Sequence, residues 1–167
     1  AEWRREIGSD CVLMAPEAKR VYGPNTMGTS RAIPIALRPR NEAQIIELVR
    51  IAARHRVPLY PVSTGKNWGY GSANPVRDGS VVVDLSGLNR IVDLDGELGL
   101  VTVEPGVTQG QLAEYLDRRG LPFLVPVTGA GPSASLLGNA MERGYGITPC
   151  SDHFGAVTAL EAVLPNG

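Results

Sequence analysis

Residues 41–75 read NEAQIIELVRIAARHRVPLYPVSTGKNWGYGSANP, and three backbone signals follow one another within them. The spacing predicts a helix over 41–56. Asn41 is a good N-cap, and Gln44 stands three residues later as its capping-box partner. Ile45, Ile46, Val49, Ala52 and Ala53 fall on one apolar stripe. The run VPLYPV at 57–62 then predicts a strand, and AIPIALRP at 32–39 predicts a short buried strand before the helix. Strand, helix and strand in this order make a βαβ unit. The loop 61–75 leaves the C-terminal end of the second strand, where open α/β sheets place ligands. A simple connection takes about two to five residues, and this loop is about three times that length. Loops of such length usually act on something or are disordered.

Outward from this unit the pattern stays mixed. Before residue 31 the periodicity is weak, with short helices expected over 2–7 and 16–21 and loop after them. After residue 79, SVVVDL, NRIVDLD and LGLVTVEP read as strands, with Asp95 and Gly96 near a hairpin turn. Thr108 begins a second helix, TQGQLAEYLDRRG, with Gln111 as capping-box partner and Gly120 at the C′ position. LPFLVP is extended, and residues 128–149 form a glycine-rich loop around one short helix. The run AVTALEAVLPNG at 156–167 reads as a strand entering a turn, so the chain is expected to be incomplete at its C-terminus.

The bulk numbers set limits. The chain has 167 residues, 43% hydrophobic and 20% charged, and can bury a core without staples. A net charge of −1 gives no general case for nucleic acid or an anionic membrane. No apolar run approaches the roughly 20 residues of a membrane span. Cys11 and Cys150 lie far apart with no metal-ligand spacing, so no metal is expected. Reduced thiols and a cytoplasmic location are the expectation.

The loop chemistry suits an anion. Consecutive backbone N–H groups in a glycine-bearing loop can turn toward one point, and glycine lets the main chain approach closely. Ser63 and Thr64 add hydroxyls, Asn67 an amide and Lys66 a charge. It is not a Walker loop, since Gly65 and Lys66 are followed by Asn67 rather than Ser or Thr. It is not the Rossmann fingerprint, since Gly69-Tyr70-Gly71 lacks the third glycine and no long helix follows. On these residues alone a binding loop and a solvated surface loop both stay open.

PVSTGKNWGYGSANP resembles the pyrophosphate loop of the vanillyl-alcohol oxidase / p-cresol methylhydroxylase family of FAD-dependent oxidoreductases. RPRNEAQIIELVRIAARHRVPLYPVSTG, VEPGVTQGQLAEYL and LLGNAMERGYGITPCSDHFGAVTALEAVLPNG resemble further family segments in the same order, the last closest to the 4-phenol-oxidising branch. The likeness runs from about residue 32 to 167. It implies an α+β, PCMH-type FAD-binding domain of two α/β lobes, about 1–78 and 79–167, with FAD between them. The second lobe is expected to be truncated and a substrate (cap) domain to be absent from this stretch.

The resemblance implies that Ser63, Thr64, Gly65, Lys66, Asn67, Gly69 and Tyr70, with Pro61 ahead of them, line the FAD pyrophosphate and ribityl chain. Trp68 is read as packing the loop down. Glu104, Pro105, Gly106 and Val107 would pass beside the cofactor. Gly138, Asn139, Glu142, Arg143, Gly144 and Gly146 would wrap the diphosphate and isoalloxazine, and Val163 would run past the adenine side. Asp152 and His153 match a family GDH pattern, with His153 supporting the flavin loop, and Cys150 is read as packing rather than as a flavin tether. The implied activity is oxidation of a small alcohol or phenol-like substrate by hydride transfer to flavin N5, with this stretch alone inactive. The alternative is a truncated or degenerate module that binds FAD without catalysis. Homo-oligomerisation is left open. Two departures weaken any transfer of substrate. No acidic residue stands in VPVTGAGPSASLLGN, where the phenol-oxidising branch carries a carboxylate, and Ile147 replaces the tyrosine expected after ERG. No catalytic base can be named.

Overall fold

The computed structural model describes residues 1–66, 73–146 and 152–167. In chain order its elements are α1 (Glu2–Ile7), a 3-10 turn at Ser9–Cys11, β1 (Val12–Met14), α2 (Glu17–Tyr22), β2 (Ile35–Leu37), α3 (Glu42–His55), β3 (Leu59–Val62), β4 (Val81–Asp84), β5 (Ile91–Asp95), β6 (Leu100–Val103), α4 (Gln109–Arg118) and α5 (Leu136–Met141).

The first sheet has the order β1-β2-β4-β3. β2 and β3 each pair parallel with β4, while β1 pairs antiparallel with β2, Val12 opposite Leu37. The strands flanking α3 are thus not neighbours, because β4 lies between them. β4 is buried along its whole length, which is why its three valines run together without alternation before the buried Asp84. Its side chains still alternate in direction. Val81 and Val83 pack with Ile7, Cys11, Leu37 and Leu48 on one face, and Val82 packs with Ala18, Tyr22, Ile33 and Ala36 on the other.

α3 begins as expected: the Asn41 side chain accepts from Gln44 N at 2.9 Å. The reciprocal bond lands one residue early, since Arg40 N donates to Gln44 Oε1 at 2.7 Å. Its buried face is Leu48, Ile51 and Ala52, whereas Ala53 is exposed and Ile45, Ile46 and Val49 are half-buried. Two apolar stripes lie side by side on this helix, and packing against Leu37 and β4 selects the one centred on Leu48. Full burial of a leucine contributes roughly 1.5–3 kcal/mol, enough to settle the choice of face.

β5 and β6 form a separate antiparallel hairpin. Its turn is fixed by Asp95, whose Oδ1 accepts from the amides of Glu97 and Leu98 at 2.9 Å each. α4 covers it: Val107, Leu112 and Leu116 pack with Ile91, Leu94, Val101 and Val103. Thr108 caps α4 by accepting from Gln111 N at 3.1 Å, and Gly120 takes φ +65° after its end. Two expectations fail. β1 lies where only helices and loop were expected, since a three-residue strand has too little pattern to read. Residues 156–164 form no strand, because no described strand pairs with them to take up their backbone groups. No described helix is long and apolar enough to cross a membrane.

Candidate functional site

A cleft of about 620 Å³ opens at the C-terminal ends of β3 and β4. It is lined by the loop Ser63–Thr64–Gly65–Lys66 and by Val21, Tyr22, Pro24 and Thr26, at and after the end of α2. Asp84, Ser86 and Ala130 also line it. Gly65 turns the loop at φ +65°, the left-handed region that favours glycine, and a Cβ there would stand 3.0 Å from Ala73 Cβ. Among the described residues no hydrogen bond engages the backbone amides of Thr64, Gly65 or Lys66. The Ser63 hydroxyl donates to the Pro105 carbonyl, which ties this loop to the segment after β6.

That segment is held by close approach. Gly106 N donates to Leu88 O at 2.7 Å, and a Cβ at Gly106 would lie 2.5–2.8 Å from the carbonyls of Leu85, Ser86 and Leu88. Val107 is fully buried in the core under α4. The Glu104 carboxylate accepts from Arg90 Nε at 2.9 Å, from its NH2 group at 2.7 Å and from its backbone amide at 2.8 Å. Those hydrogen bonds hold the Glu104 pKa below its ordinary value of 4.5, against a weaker opposing effect of burial.

α5 brings in the third group. Ser135 caps it by accepting from Gly138 N at 3.2 Å, and a Cβ at Gly138 would stand 3.6 Å from Ser63 Cβ. Beyond it the chain folds back on itself. Gly144 N donates to Asn139 O at 2.7 Å, and His153 N to Gly144 O at 3.2 Å. Asn139 Nδ2 and His153 Nδ1 lie 2.9 Å apart. His153 is buried, and neither its Nε2 nor Asn139 Oδ1 has a partner among the described residues. A Cβ at Gly144 would stand 1.5 Å from Asn139 Oδ1, and one at Gly146 would stand 2.7 Å from His153 Nε2. Arg143 takes a left-handed φ of 56°, and its guanidinium lies 4.1 Å from the centre of the Phe154 ring.

The structure therefore brings Ser63, Thr64, Gly65 and Lys66 together at the cleft, reaches Pro105 and Gly138 through Ser63, and gathers Asn139, Gly144, Gly146 and His153 into a second cluster. Glu142 is exposed beside Tyr60, whose phenol is pushed up by burial and by that charge. Pro61 is exposed in β3, and Val163 lies in the irregular tail outside the cleft lining. Asn67, Trp68, Gly69, Tyr70, Ile147 and Cys150 lie outside the described residues.

Two sets of residues had no signal in the sequence. Tyr22 OH donates to Asp84 Oδ2 at 2.6 Å and accepts from Arg38 Nε at 2.9 Å, across 62 residues of chain in the first case. Gln109 is buried and clamps Thr128, accepting from its amide and donating to its hydroxyl at 3.2 Å each, which fixes the strand of chain leading to Ala130.

The family comparison agrees with this geometry. Residues 33–167 match the model of the FAD binding domain family. The chain belongs to that family. It is 42% identical over 167 residues to the 1'-carboxy-chondrochloren decarboxylase of Chondromyces crocatus, covering 100% of this chain and 31% of the relative. It is 36% identical over 169 residues to the 4-cresol dehydrogenase [hydroxylating] flavoprotein subunit of Pseudomonas putida, covering 99% and 32%. The crystal structure of p-cresol methylhydroxylase with substrate bound superposes with a TM-score of 0.88 at 35% identity, over 92% of this chain and 30% of that one. The fold is thus the mixed helix and strand domain of PCMH-type flavoproteins, and the cofactor that family membership indicates is FAD. The chain spans about a third of the length of these relatives. The residues present fit such a group: amides at 64–66 and buried polar atoms on Asn139 and His153 that have no partner among the described residues, with a cleft beside the amides.

Proposed function

We propose that this chain is the FAD-binding part of an FAD-dependent oxidoreductase acting on a small alcohol or phenol-like organic substrate. The amides of Thr64, Gly65 and Lys66, which line the cleft and have no acceptor among the described residues, carry the reading, because a diphosphate would supply acceptors. Ser63–Lys66, with Asn67, Gly69 and Tyr70, would hold the diphosphate end. Pro105, Gly106 and Gly138 would bring the main chain close beside it. Asn139 and His153 would turn their free atoms to the ring end and orient it. In this reading the chain forms two lobes with the cofactor between them, divided after β4 rather than at residue 78 because β4 belongs to the first sheet, and a substrate domain lies in the remainder of the protein. Bound FAD supplies a hydride acceptor at N5; the chain's part is to bind, orient and exclude water.

The test is flavin content. Full-length protein is expected to purify yellow with flavin absorbance. A folded, colourless protein that takes up no added FAD would overturn the reading. A second reading, in which the oxidised substrate also loses a carboxyl group, is favoured by the 42% identity to a decarboxylase. Release of carbon dioxide during turnover separates the two.

A further inference from the structure

We propose that Tyr22 and Arg38 mask the Asp84 carboxylate so that the cleft beside Ser63–Lys66 can hold a diphosphate, which makes both of them positioning residues for an anionic ligand. The inference rests on the flavin reading above and adds residues that it does not contain. Asp84 lines the cleft together with Ser63, Thr64 and Lys66, yet it is only 8% exposed. A bare carboxylate there would repel the phosphates through a poorly screening medium.

Asp84 is not bare. Its Oδ2 takes the Tyr22 hydroxyl at 2.6 Å and faces Arg38 Nε at 3.5 Å, and its Oδ1 takes Ser86 N at 2.9 Å. Arg38 Nε also donates to Tyr22 OH at 2.9 Å, with its guanidinium 5.7 Å from the centre of the ring. Both oxygens are spoken for and the negative charge is balanced by a cation. Burial above all, with the neighbouring carboxylate, pushes the Tyr22 phenol well above its ordinary range, so it remains a donor. Lys66 is left as the cationic side chain that the described lining offers an anion. Tyr22 belongs to the N-terminal segment ahead of the residues that match the family model, which begin at 33.

The test titrates the full chain, freed of flavin, with FAD and with riboflavin, which lacks phosphate. Tyr22→Phe is expected to weaken FAD about tenfold at low salt and less as salt rises, while riboflavin binding changes little. Adding Asp84→Asn to Tyr22→Phe is expected to restore FAD affinity to within about twofold, because the exposed charge is gone. Arg38→Gln, at a half-exposed side chain, carries the same test if Tyr22→Phe lowers the melting temperature below the assay range. Equal loss of FAD and riboflavin without rescue by Asp84→Asn would mean that the network only props α2, and would overturn the proposal. Failure of the unaltered chain to bind FAD would overturn the flavin reading itself and the proposal with it.

Discussion

Two buried polar clusters flank the candidate site, and they are built in opposite ways. Around Asp84 each carboxylate oxygen is engaged, by Tyr22 and Arg38 on one side and by the Ser86 amide on the other. Around His153 one bond joins the ring to Asn139, and Asn139 Oδ1 and His153 Nε2 are left without partners among the described residues. A buried polar atom without a partner costs free energy, whereas a satisfied network repays part of its desolvation. The Asp84 cluster therefore belongs to the fold and helps to hold α2 on the sheet. Among the described residues the Asn139–His153 cluster carries that cost, and in the proposed reading its unpartnered atoms are kept for a bound molecule.

The largest effect expected from this difference comes from emptying the closed cluster. Asp84→Ala leaves the Tyr22 hydroxyl and the Ser86 amide without their acceptor and removes the carboxylate facing Arg38, and is expected to cost about 3 kcal/mol of stability. Urea denaturation followed by circular dichroism measures it. A loss below about 1 kcal/mol would show that the network adds nothing to the fold and would erase the contrast. His153→Leu is the matching change in the open cluster. It removes one orphaned nitrogen and one hydrogen bond but leaves the half-buried Asn139 Nδ2 without that partner, so a stability loss of about 1 kcal/mol is expected. Flavin retention is expected to fall about tenfold in the same variant, the equivalent of one lost hydrogen bond to the ligand. A stability loss of about 3 kcal/mol, or an unchanged flavin affinity, would make His153 a packing residue and no more.

The two clusters also differ in how far the sequence revealed them. The open one was readable, because Asn139, Gly144, Gly146 and His153 stand within a short glycine-rich run whose motif resembles a known family. The caps at Asn41 and Thr108 were readable for a related reason: donor and acceptor are three residues apart, and the chemistry is local. The closed cluster could not be read. Tyr22 and Asp84 are separated by 62 residues, and only the pairing of β2 with β4 and the docking of α2 bring them together. The same dependence on distant partners explains the remaining misses. Leu48 is buried because β4 and Leu37 lie beneath it, β1 is a strand only because β2 offers an edge, and 156–164 stays irregular for want of a described neighbour. Glu104 shows the same dependence: it stands in a family-like EPGV segment expected to pass beside the cofactor, while the bonds its carboxylate takes from Arg90, 14 residues away, had no signal in the sequence.

That Glu104–Arg90 clasp sharpens the contrast, because its carboxylate is fully hydrogen-bonded, like Asp84, but the arrangement is open to solvent on the arginine side. Arg90 is 80% exposed and Glu104 16%. If burial rather than mere pairing makes the Asp84 cluster matter, Arg90→Gln should cost far less than Asp84→Ala at neutral pH, because solvent screens the exposed pair. The pH dependence gives the check. Arg90 holds the folded-state pKa of Glu104 below its ordinary value of 4.5. Stability from a carboxylate lowered in this way is fully present above that ordinary value and is lost as the pH falls toward and through the lowered one. The difference between Arg90→Gln and the unaltered chain should thus be constant from neutral pH down to about 5.5, shrink as the medium becomes more acidic, and vanish once Glu104 is protonated in both. Denaturation midpoints measured across that interval report it. A difference that persists unchanged into strong acid would mean that Arg90 acts through the packing of its stem along the hairpin rather than through the carboxylate.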